Sequence, residues 1–145
     1  MNPLSSSPIK LSCIIDDDDV YINLISKIID LKNLSENLLI FKNGEEALNY
    51  FKAIIENLSD NTFPEIILLD LNMPVMDGWN FLKEFTKIQN PNTFGTPLYI
   101  VSSSINQEEI QKAKSFELVT DYLIKPINIG KFEELFNTKK RLKTA

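Results

Sequence analysis

Residues 64–78, Pro-Glu-Ile-Ile-Leu-Leu-Asp-Leu-Asn-Met-Pro-Val-Met-Asp-Gly, constrain the fold more than any other stretch of the chain. Four consecutive aliphatic residues, Ile66 to Leu69, end on the carboxylate of Asp70. A run this short, with no polar alternation, suits a strand buried on both faces of a parallel sheet. Pro74 and Gly78 then stop the strand and turn the chain. Asp70 is therefore expected at the carboxyl end of a central strand, the edge where open α/β sheets bind ligands. An aspartate there is also a common cap or turn residue, so the other strand ends must decide between the two.

The rest of the chain repeats the pattern. Apolar runs at 10–15, 38–41, 97–101 and 121–124 alternate with helical periodicity at 19–32, 45–58, 77–88, 106–116 and 130–141. In the first helix Val20, Leu24, Ile25, Ile28 and Ile29 are expected inward, with Asp19 as N-cap or in the first turn. In the second, Ala47, Leu48, Phe51, Ile55 and Leu58 align. Residues 1–9 read as a flexible arm, 59–63 and 89–96 as loops. Residues 138–145 read as a basic tail with no output domain after it. Five strand–helix units imply an α/β fold: a doubly wound parallel sheet with right-handed crossovers and helices on both faces.

Composition narrows the function. A chain of 145 residues supports one core. A net charge of −5 argues against general binding to nucleic acid or anionic membranes. With no histidine, imidazole metal sites and imidazole bases are excluded. The single cysteine, Cys13, lies in an apolar run and suits a buried structural thiol. No stretch reads as a membrane span or a signal peptide, so a cytoplasmic location is expected.

In a parallel sheet the strand ends share one edge. Asp16 and Asp17, Asp70, Ser102 and Lys125 close four of the five runs and so should converge. Clustered carboxylates repel one another and favour a hard divalent cation such as Mg2+, which keeps waters and leaves room for a phosphate. Lysine adds a point charge for phosphoryl oxygens and serine a neutral hydrogen bond. One carboxylate is then free to attack phosphorus and form an aspartyl-phosphate. Each residue has an ordinary explanation alone: a solvated acidic turn, a helix cap, a loop lysine. Their coincidence in one chemistry favours the site.

These residues also carry a family resemblance. Ile14-Ile15-Asp16-Asp17-Asp18, Leu69-Asp70-Leu71-Asn72-Met73-Pro74 with Met76-Asp77-Gly78, Val101-Ser102-Ser103-Ser104 and Asp121-Tyr122-Leu123-Ile124-Lys125-Pro126 resemble the receiver domain of two-component response regulators, in particular stand-alone chemotaxis-type regulators. The resemblance covers residues 10–137. It implies a flavodoxin-like five-stranded sheet of order 2-1-3-4-5. It implies that Asp70 accepts a phosphoryl group from a sensor histidine kinase or histidine phosphotransfer protein. Asp16, Asp17, Asp70 and the Asn72 carbonyl would hold Mg2+. Lys125 and Ser102 would bind the phosphoryl group, Ser102 and Tyr122 would form the switch, and Pro126 would be cis. The side chains of Asn72 and Ser104 would tune dephosphorylation. Neither is a strong acid or base, so a modest rate is expected.

The chain departs from the family pattern at Leu118-Val119, where Gly-Ala is usual, and in a longer loop at 89–96. Output would be a protein contact through the fourth helix, fifth strand and fifth helix, or a phosphorelay shuttle without one. The target is unknown, and no DNA or membrane partner is expected. The chain would be a monomer or a phosphorylation-dependent dimer, and no enzyme beyond its own phosphorylation and dephosphorylation. Two rivals are weighed. A haloacid-dehalogenase-type phosphatase also uses an aspartyl-phosphate, but carries its nucleophile on the first strand and its acid pair downstream. A phosphorylation-independent pseudo-receiver would normally lack one of Asp17, Asp70 or Lys125, all present here.

Overall fold

The computed structural model describes residues 8–56, 63–88 and 95–144, with side chains described as far as residue 137. Strands β1 (Ile9–Ile15), β2 (Ser35–Phe41), β3 (Ile66–Leu69), β4 (Leu98–Ser102) and β5 (Val119–Ile124) alternate with helices α1 (Asp19–Leu31), α2 (Gly44–Glu56), α3 (Gly78–Ile88), α4 (Gln107–Lys114) and α5 (Ile129–Thr144). All strand pairs are parallel and the sheet order is β2-β1-β3-β4-β5, as the family resemblance implies. Five strands and five helices in this order form the flavodoxin-like doubly wound fold.

The period-two geometry of strands divides the core into two layers. Cys13, Ile15, Ile67, Leu69 and Ile100 face Ala47, Phe51, Phe81, Phe85 and Ala113 of α2, α3 and α4. Ile14, Leu68, Tyr99 and Val101 face Ile22, Ile25, Ile29, Phe132 and Phe136 of α1 and α5. All four residues of β3 are buried, as expected of a central strand covered on both sides. Phe51, Phe81 and Phe85 pack ring against ring, with centroids 4.9–6.2 Å apart.

Several expectations change. On α1 the buried residues are Ile22, Ile25 and Ile29, while Val20 and Leu24 stand 80% and 52% exposed. The helix carries two adjacent apolar stripes, and periodicity cannot say which one meets the sheet. Its N-cap is Asp18, whose carboxylate accepts from Val20 N and Tyr21 N, and Asp19 lies in the first turn. On α2 Ile54 is buried and Ile55 only half-buried, while Leu58 lies outside the described residues. β2 starts at Ser35 because backbone pairing with β1 extends the edge strand through residues with polar side chains. Ile9, assigned to the arm, is a fully buried strand residue. α5 continues to Thr144, through the stretch read as a tail.

Candidate functional site

The carboxyl edge of the sheet is tied together by backbone bonds one residue beyond each strand. Asp16 N donates to Phe41 O at 2.9 Å, Asp70 N to Ile15 O at 2.8 Å and Lys125 N to Ser102 O at 2.9 Å. These bonds fix the first residue after β1, β3 and β5 relative to its neighbour, so side chains distant in sequence converge on a rigid frame.

The four aspartates after β1 divide into two kinds. Asp18 caps α1, and Asp19 pairs with Lys42, both facing solvent. Asp16 is buried and Asp17 exposed, and both turn toward Asp70. Each of the three offers a carboxylate oxygen, and the three oxygens lie within 4.8 Å of one another. Asp16 also accepts a hydrogen bond from Asp18 N at 3.0 Å. The donors are all hard oxygens, and the charge cluster needs a counter-ion. That donor set fits an oxygen-preferring divalent cation such as Mg2+.

Lys125 reaches into this cluster. Its Nζ lies 2.8 Å from Asp16 Oδ2 and 3.9 Å from Asp70 Oδ2, and the Lys125–Pro126 peptide is cis. The Asp70 carboxyl is pushed up to about 6, first by burial and then by the charge of Asp16. Lys125 and the Leu71 N–H, 2.9 Å from Asp70 Oδ1, pull the other way, and Asp17 adds a smaller push upward. Asp70 is thus ionised at neutral pH yet more basic than an ordinary aspartate, which suits a nucleophile.

Ser102 is fully buried at the end of β4, and its hydroxyl accepts from Ser104 N at 3.2 Å. Tyr122 is buried, and its hydroxyl donates to the Ser104 carbonyl at 2.9 Å. The two predicted switch residues therefore meet the same loop residue, one at its amide and one at its carbonyl. Asn72 is exposed beyond β3. Residues 71–78 are held by Gly78 N, which donates to Leu71 O at 2.9 Å.

Two residues at this edge were not legible as site residues. Glu109 on α4 accepts a short hydrogen bond from the Ser104 hydroxyl, so that hydroxyl is not free. The Tyr21 ring face lies 4.4 Å from Lys125 Nζ. No spacing along one helix signals the Tyr21 contact, which joins α1 to the residue after β5.

A parallel sheet of this order with three carboxylates and a lysine at its carboxyl edge defines a class of phosphate-handling α/β domain. The family model for the response regulator receiver domain matches residues 13–137. The chain is 29% identical to the response regulator Rcp1 of Synechocystis over 125 residues, covering 86% of this chain and 82% of that protein. A crystal structure of a two-component response regulator from Cytophaga hutchinsonii superposes with a TM-score of 0.78 at 27% identity, covering 93% of this chain and 99% of that one. The receiver domain of a Pseudomonas aeruginosa sensor histidine kinase, solved with magnesium in its active-site cleft, shares the fold with a TM-score of 0.72 at 16% identity, covering 92% and 98%. The chain belongs to the response regulator receiver domain family, whose members accept a phosphoryl group in two-component signalling. Neither rival is favoured.

Proposed function

We propose that Asp70 is the phosphoacceptor and that its partner is a sensor histidine kinase or a histidine phosphotransfer protein. One observation carries the assignment: Lys125 Nζ sits within 3.9 Å of a buried, basic Asp70 that shares its surroundings with Asp16 and Asp17. A carboxylate oxygen of Asp70 attacks phosphorus, the phosphorus–nitrogen bond of the donor's phosphohistidine breaks, and the imidazole leaves with the electron pair. Asp16, Asp17, Asp70 and the Asn72 carbonyl would hold Mg2+, which when bound would supply positive charge against the phosphoryl oxygens. Lys125 pairs with those oxygens, and Ser102 supplies a hydroxyl hydrogen bond. A shift of Ser102 toward the new charge loosens its bond to Ser104 N. Tyr122, bonded to the Ser104 carbonyl, then responds, and the surface of α4, β5 and α5 changes for a protein target. This is a regulator's chemistry, with turnover limited to its own phosphoryl group. Among the described residues no helix is long and apolar enough to cross a membrane.

The test is intact mass after incubation with acetyl phosphate and Mg2+. A gain of one phosphoryl mass, absent in Asp70→Asn and absent without Mg2+, supports the assignment. Equal labelling of Asp70→Asn overturns it. Steady phosphate release from phosphomonoesters would instead point to a phosphatase.

A further inference from the structure

Tyr21 has no part in the reading above, yet it stands at the site. It lies in the first turn of α1, with its ring face 4.4 Å from Lys125 Nζ. That ammonium also bonds Asp16 at 2.8 Å and approaches Asp70 at 3.9 Å. The phenol oxygen is buried and has no hydrogen-bond partner among the described residues. Burial, then the charges of Asp16 and Asp70, raise the hydroxyl's pKa, so the ring stays neutral beside the acidic cluster.

A lysine is a point charge on a flexible stem, so its position is set by what surrounds the ammonium. Here the Lys125 side chain is only 14% exposed, and little water competes. An aromatic face attracts a cation through its quadrupole, more strongly when the cation is desolvated. It does so without offering an acceptor, which leaves the ammonium N–H groups for oxygens. An aliphatic side chain of similar bulk would fill the space without that attraction.

We propose that Tyr21 is a positioning residue for phosphoryl transfer, its ring face seating the Lys125 ammonium beside Asp70 to meet the incoming phosphoryl oxygens. The inference rests on the receiver reading of the site. It goes beyond that reading by naming a residue that acts through Lys125.

The experiment measures labelling rates of the full chain with acetyl phosphate at saturating Mg2+. The variants are wild type, Tyr21→Phe and Tyr21→Leu, each also made in a Lys125→Met background and followed for longer times. Tyr21→Phe, which keeps the ring, should label within about twofold of wild type, and Tyr21→Leu on the order of tenfold more slowly. In the Lys125→Met background the same change to Leu should cost nothing further, because the coupling passes through the ammonium. Circular dichroism checks folding, and Tyr21→Met replaces the Leu variant if that one folds poorly. The proposal is overturned if the aliphatic variant labels like wild type or if Phe is as slow as Leu. It is equally overturned if the cost persists without the ammonium, as a merely structural role requires. Failure of wild type to label would overturn the receiver reading itself. Normal wild-type labelling with a flat Tyr21 series overturns only this inference.

Discussion

Lys125 lies closer to Asp16 than to Asp70, at 2.8 Å against 3.9 Å. Its charge is therefore spent mainly on Asp16, and it offsets only part of what burial and neighbouring charge do to Asp70. Asp70 remains basic, near 6 rather than the ordinary 3.8.

That value gives the site a pH signature. A carboxyl with a raised native pKa holds its proton where the unfolded chain has already lost it. Its contribution to stability is therefore favourable at low pH and falls as pH rises from about 4 to about 6. Asp70→Asn carries no such penalty. Its stability advantage over wild type, from urea unfolding without divalent cations, should grow across that window and level off at about 2–3 kcal/mol. A pH-independent difference would contradict the environment described for Asp70.

A divalent cation that binds only the folded site should stabilise the protein by mass action. At a hundredfold excess over its dissociation constant, Mg2+ should add about 2.7 kcal/mol to unfolding. Asp17 is exposed and offers one of the three clustered oxygens, so Asp17→Asn should remove most of that increment while changing stability little without Mg2+. Thermal melts with and without Mg2+ measure both. An unchanged Mg2+ response in Asp17→Asn would exclude it as a ligand.

Gly78 is where the segment after Asp70 folds back on itself. A Cβ built there would lie 2.4 Å from the Asp70 carbonyl oxygen and 2.8 Å from Leu71 Cα, both backbone atoms that cannot rotate away. Gly78→Ala should therefore cost at least about 2 kcal/mol in urea unfolding and slow labelling with acetyl phosphate, because relief of the clash displaces the backbone of Asp70, the proposed acceptor. Wild-type stability in this variant would show that the close approach is not real.

Val75 sits in the same loop with φ of 67°, a left-handed conformation that is costly for a β-branched residue, and its side chain is 77% exposed. Asparagine tolerates that conformation and gives up no buried contact. Val75→Asn should stabilise by about 0.5–1 kcal/mol. Chemical denaturation would reveal it, and loss of stability would mean that the Val75 side chain makes a contribution its exposure conceals.

Hydrophobic patterning determined the order and type of all ten elements, because a strand covered on both faces and a helix covered on one demand different periods. It also placed Asp16, Asp17, Asp70, Ser102 and Lys125 at one edge, because parallel strands end on one side. What the pattern could not decide was rotation and partnership. The stripe of α1 that faces the sheet was settled by packing, which buried Ile22 and left Val20 in solvent. What Asp18 and Asp19 do instead, the one capping α1 and the other pairing with Lys42, was set by the helix start and by a contact across to the end of β2. The places of Tyr21 against Lys125 and of Glu109 against Ser104 depend on how helices lie across the sheet edge. Sequence spacing acts along one element at a time. Contacts between elements are fixed only when the core chooses how each helix sits, and that choice belongs to the tertiary structure.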